Sequence, residues 1–110
     1  RKHVLALQPE DVDVKLEITA EVNRPVFPRL EGTAELFKHA REICRKIGFD
    51  LEERHSGGGS DGNFTAALGI PTLDGLGADG HGHHTLDEYI LFSSLKPRAR
   101  MWVRLLQTLT

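Results

Sequence analysis

Apolar and polar side chains alternate without a break from Val12 to Val22. Val12, Val14, Leu16, Ile18, Ala20 and Val22 fall on one side, and Asp13, Lys15, Glu17, Thr19 and Glu21 on the other. A period of two predicts a strand with one buried and one wetted face, the pattern of an antiparallel sheet. Ahead of it, Lys2 to Gln8 reads as the last turns of a helix stopped at Pro9. Behind it, Pro25 and Pro28 make Asn23–Pro28 an extended linker and a domain boundary.

After the linker the period lengthens. Leu36, Phe37, Ala40, Ile43, Cys44 and Ile47 form one apolar stripe of a helix that Thr33 is placed to cap and Gly48 to end. Phe49–His55 reads as a short strand. A second, shorter helix starts at Ser60 or Asp61, turns Phe64, Ala67 and Leu68 inward and stops at Gly69. Ile70–Leu76 reads as another strand. Thr85-Leu86-Asp87-Glu88 has the spacing of a capping box. Ser94 is the preferred start of the last helix, with Pro97 in its first turn. That leaves Glu88–Phe92 extended, and Leu95, Ala99, Trp102, Val103, Leu106 and Leu109 as the stripe. Strands alternating with helices predict a layered α/β domain. Three short strands make a thin sheet, so one side of the layer is expected to be missing.

Composition narrows the class. The 110 residues suffice for one small domain, and 39% hydrophobic with 27% charged residues is ordinary globular usage. A net charge of −2 gives no reason to expect nucleic acid or an anionic membrane as partner. No apolar run approaches the roughly 20 residues that span a bilayer. The single cysteine, Cys44, excludes an internal disulfide and fits a reducing, cytoplasmic compartment. Arg1-Lys2-His3 does not read as an initiation, which suggests a fragment of a longer chain.

Candidate chemistry concentrates between Ser56 and Tyr89, where nine of the eleven glycines and three of the six histidines lie. Imidazoles at His81, His83 and His84 suit zinc, but His83 and His84 are adjacent and a zinc site needs at least three protein ligands. Polar loop histidines with no ligand role are an equally good account of the spacing. Gly57-Gly58-Gly59-Ser60-Asp61-Gly62 offers bare amides before a helix, without the lysine of a phosphate-binding loop. A plain tight connection explains it as well. Ser60, Asp61 and His84 lack the nucleophile elbow of a serine hydrolase, and Ser60 fits a helix cap better. Arg24 can grip a carboxylate bidentately or stand as an exposed linker arginine. Cys44 belongs to the core, and His3 and His39 to the surface.

Four motifs in order bring these residues together: "NRPVF" at Asn23–Phe27, "GGGSDGNF" at Gly57–Phe64, "GIPTLDGLG" at Gly69–Gly77 and "GHHTLDEYI" at Gly82–Ile90. They resemble the C-terminal part of the co-catalytic zinc metallopeptidases, the family of glutamate carboxypeptidase, acetylornithine deacetylase, succinyl-diaminopimelate desuccinylase and aminoacylase. The glutamate carboxypeptidase-like branch looks closest. The resemblance implies an α/β catalytic domain interrupted by an α+β lid that often mediates dimerisation. Residues 1–28 would then end the lid with its last strand, and residues 29–110 would close the catalytic domain.

By the same resemblance His84 is a ligand to one of two zinc ions, and Arg24 binds a substrate carboxylate. Gly57, Gly58, Gly59 and Ser60 contact substrate through their backbone. His83 stands where the family more usually has a small residue. The other ligands and the general base belong to the family's N-terminal half, so no catalytic residue is expected here. The implied protein hydrolyses an amide bond of a small peptide or N-acyl amino acid, and this piece alone is expected to be inactive without its missing half. A non-catalytic metal-binding module, or a dimerising piece that pairs through Val12–Val22, is the alternative.

Overall fold

The computed structural model describes residues 2–109; Arg1 and Thr110, the outer limits of the two expected domains, lie outside the described residues. Four helices and one short hairpin follow in the order α1 (Lys2–Leu5), α2 (Glu31–Ile47), α3 (Gly62–Ala67), β1 (Gly80–His81), β2 (Tyr89–Ile90) and α4 (Phe92–Thr108). The two strands pair antiparallel, Gly80 opposite Ile90 and His81 opposite Tyr89.

The centre is the pair of long helices. Ala40, Ile43 and Cys44 of α2 meet Met101 and Leu105 of α4, and the irregular segments 49–55 and 70–76 add Leu51 and Leu76. Phe37, Ile47, Phe49 and Leu73 pack against this cluster. The stripe expected on α2 is therefore its buried face, and Gly48 ends the helix in the left-handed conformation with its N–H on the Cys44 carbonyl. Thr33 does not cap it. The helix begins two residues earlier, and the Thr33 hydroxyl accepts instead from the Thr72 amide at 3.4 Å.

On α4 the expected stripe is the wrong face. Ser94, Met101 and Leu105 are buried, whereas Trp102, Val103 and Leu106 are about half exposed or more. The helix also starts at Phe92, ahead of Ser94, so Pro97 falls beyond its first turn. Ser94 ties the helix start to the hairpin: its hydroxyl donates to the Leu91 carbonyl at 2.6 Å and accepts from the Asp79 amide at 3.0 Å. Thr85 and Glu88 cap no helix; they lie in the turn between β1 and β2.

No strand forms over Val12–Val22, Phe49–His55 or Ile70–Leu76. A strand exists only where a neighbour accepts its backbone hydrogen bonds, and the described residues hold no sheet beyond the β1–β2 pair. Val12 is 96% exposed and Val22 74%, while Ile18 and Ala20 are half-buried, so most of the alternating segment's apolar face is open to solvent. The layered α/β domain is thus realised as a mixed structure, two packed helices with a two-stranded sheet. Its Cα radius of gyration is 19.6 Å, against ~13 Å for a compact chain of this length. Its accessible surface is 9252 Å², against ~6,100 Å² for a folded monomer of this mass. Among the described residues no helix is long and apolar enough to cross a membrane.

Candidate functional site

Arg24 and the glycine loop, 36 positions apart in sequence, are joined directly. Arg24 Nη1 donates to the Ser60 carbonyl at 2.7 Å and to Asp61 Oδ1 at 2.9 Å. The guanidinium also lies over the Phe64 ring, 5.1 Å from its centroid. Gly59 makes the approach possible, since a Cβ there would stand 2.9 Å from Arg24 Cδ. Around them Asn23, Arg24, Pro25, Gly57, Gly58, Gly59 and Asn63 line an open depression of about 460 Å³.

Asn63, which sequence reasoning passes over, holds this arrangement. Its side chain is buried beside Ala66 on α3, one position ahead of the face expected from Phe64, Ala67 and Leu68. Phe64 and Leu68 are exposed instead. Asn63 Oδ1 accepts from the Ser60 amide at 2.8 Å, and Nδ2 donates to the Pro25 carbonyl at 2.9 Å. One amide side chain thus satisfies the loop and the linker together, as buried polar groups require. The only sequence signal is a polar residue at helical spacing from Ala66; its partner in the linker is invisible in the pattern.

A further tie fixes the linker from the other side. The Arg29 guanidinium meets Glu53 with two bonds, Nε to Oε1 and Nη2 to Oε2. The bond from Arg29 and its charge hold the Glu53 carboxyl below its ordinary value.

The Ser60 hydroxyl is engaged within the loop. Ser60 Oγ accepts from the Gly62 amide at 3.2 Å, and no histidine hydrogen-bonds to it among the described residues. Ser60 meets the expectation of a cap, since Gly62 is the first residue of α3 and its N–H is received by the Ser60 hydroxyl; Asp61 occupies the cap position with no side-chain bond to the first turn and directs its carboxylate to Arg24.

The histidines sit at the hairpin. His84 is exposed and adopts φ 66°, a left-handed conformation uncommon outside glycine. Its amide donates to Glu88 Oε2 at 3.3 Å, while His83 Nδ1 lies 3.5 Å from Glu88 Oε1. The His81 ring stacks obliquely near Tyr89, centroids 5.9 Å apart. Among the described residues no three histidine, cysteine or acidic side chains converge to hold a metal. His81, His83 and His84 are all exposed, and among the described residues their loop does not form a complete metal site.

With this geometry in view, the matched family is informative. The family described as Peptidase family M20/M25/M40 matches residues 4–108, and the chain belongs to it. The chain is 34% identical over 101 residues to carboxypeptidase G2 of Pseudomonas sp. (strain RS-16), covering 90% of this chain and 24% of that protein. It is 33% identical over 97 residues to the uncharacterized protein YqjE of Bacillus subtilis (strain 168), covering 88% of this chain and 26% of that one. The chain therefore spans about a quarter of the length of these curated relatives. No solved structure matches it significantly.

Proposed function

We propose that these residues are the C-terminal portion of a zinc-dependent metallopeptidase of the glutamate carboxypeptidase-like branch. It would cleave the amide bond of a carboxylate-bearing small peptide or N-acyl amino acid. The observation that carries the reading is the seating of Arg24 against Ser60 and Asp61 at the rim of a glycine-lined depression. A guanidinium held beside bare backbone suits recognition of a terminal carboxylate, with the Gly57–Ser60 backbone flanking the rest of the substrate.

In this reading His84 supplies one ligand to a two-zinc centre, and its exposed ring is accessible to a docking partner. The chemistry such ions supply when bound is polarisation of the scissile carbonyl and activation of water. The remaining ligands and the general base come from an N-terminal half of the same enzyme, with which this chain assembles. Residues up to Pro28 close a lid domain that supports a homodimer, and residues from Arg29 onward close the catalytic domain. The large exposed apolar surface and extended shape support a missing partner half. A cytoplasmic location is part of the proposal, on the strength of one buried free cysteine.

The test is hydrolysis of N-acetyl amino acids and dipeptides by the longer protein and by this chain alone, each with added zinc. The longer protein is expected to turn over and the chain alone to be inert. Turnover by the isolated chain, or none by the longer protein, defeats the proposal.

A further inference from the structure

Arg24 does not stand alone at the depression; one corner of its guanidinium is already committed. Nη1 donates to both Ser60 O and Asp61 Oδ1, while Nε and Nη2 have no hydrogen-bond partner among the described residues. A guanidinium offers carboxylates two parallel edges, and spending Nη1 leaves the Nε–Nη2 edge for a bidentate ligand. The guanidinium carbon also lies over the Phe64 ring, and Cδ lies close to the bare backbone of Gly59.

We propose that Asp61 is a positioning residue: its carboxylate, with the Ser60 carbonyl, pins Nη1 of Arg24 so that the Nε–Nη2 edge is presented to a substrate carboxylate. This rests on the proposed role of Arg24. Asp61 occupies the cap position of α3 through its backbone, but its side chain is 95% exposed and packs against little. An exposed ion pair adds little to stability, and its effect is therefore on orientation. Arginine free to rotate would spread its donors over many directions and lose the second bond of the fork.

Equilibrium binding separates the possibilities without turnover. The probe is an N-acetyl amino acid and its C-terminal amide, titrated calorimetrically into the zinc-free longer protein. The readout is the ratio of the two dissociation constants for wild type, Asp61→Asn, Asp61→Glu and Arg24→Gln. Asp61→Asn is expected to shrink the preference for the acid by roughly three- to tenfold, the upper value being the factor that ~1.4 kcal/mol corresponds to. Asp61→Glu is expected to restore most of it, and Arg24→Gln to abolish it. If Arg24→Gln abolishes the preference but Asp61→Asn leaves or strengthens it, Asp61 does not position Arg24 and this inference alone fails. If Arg24→Gln also retains the preference, the role of Arg24 fails and takes the inference with it.

Discussion

The amide of Asn63 reaches the carbonyl of Pro25 at 2.9 Å, a bond between residues 38 positions apart that closes the glycine loop onto the linker. The same side chain receives the Ser60 N–H. Removing it strands a donor and an acceptor at once. Asn63→Ala is expected to cost about 1–3 kcal/mol, the usual penalty for unmet buried polar groups. Chemical denaturation of wild type and variant checks this, and equal midpoints would show that the clamp carries no stability.

Gly59→Ala acts differently. The backbone there is not in the left-handed region, so the added methyl strains Arg24 and not the chain. Stability is expected to stay within ~0.5 kcal/mol, as for ordinary surface changes. Affinity for a carboxylate probe is expected to fall about tenfold, equivalent to ~1.4 kcal/mol. Parallel thermal melts and titrations read the two effects; a destabilised variant with unchanged affinity contradicts the geometry.

Gly80→Ala is expected to open the hairpin. A Cβ at Gly80 would run into the Tyr89 carbonyl oxygen and crowd Ile90 Cα at 3.1 Å, and both are backbone atoms with no rotamer to escape into. Overpacking of this kind costs ~1–3 kcal/mol. Amide exchange at Leu91, whose N–H bonds to Asp79 O at 2.7 Å, is expected to accelerate. Unchanged protection there would mean the strands tolerate the methyl.

Acid is expected to weaken the fold through Asp50. Its carboxylate accepts from Arg41 Nε at 3.1 Å and Nη2 at 3.2 Å, with Arg45 Nε at 3.5 Å. The Arg41 hydrogen bond, ahead of the charges of Arg41 and Arg45, lowers its pKa in the folded state. A depressed folded value means stability fully present above the ordinary aspartate value of about 3.9 and lost as pH falls through the lower folded one. Glu53 beside Arg29 behaves alike. Asp50→Asn is expected to flatten the acid limb of a stability–pH curve, and added salt to shrink the difference between variants. An acid limb identical to wild type would remove Asp50 from the account.

What the sequence makes legible is local. The α2 stripe from Phe37 to Ile47 and its stop at Gly48 follow from periodicity and one glycine, because neither depends on distant chain. The α4 face does not, because that helix is apolar on two sides and only its contact with Ala40 and Cys44 selects Met101 and Leu105. The strand pattern at Val12–Val22 is as regular as any, yet among the described residues no sheet ladder forms over it. For the site, motif resemblance singles out Arg24 and the Gly57–Ser60 loop, and the structure brings them into contact. Asn63 and the engagement of Asp61 stay hidden, since a hydrogen bond across 38 or 37 positions leaves no trace in spacing.

Between Asn23 and Pro28 the chain is stiffened by two prolines and fastened at Ser60, Asp61, Asn63 and, just beyond, Glu53. Such a hinge transmits torque. Swinging the preceding arm would either wrench the guanidinium from its seat or carry the whole loop along, so the arm and the loop are mechanically one piece.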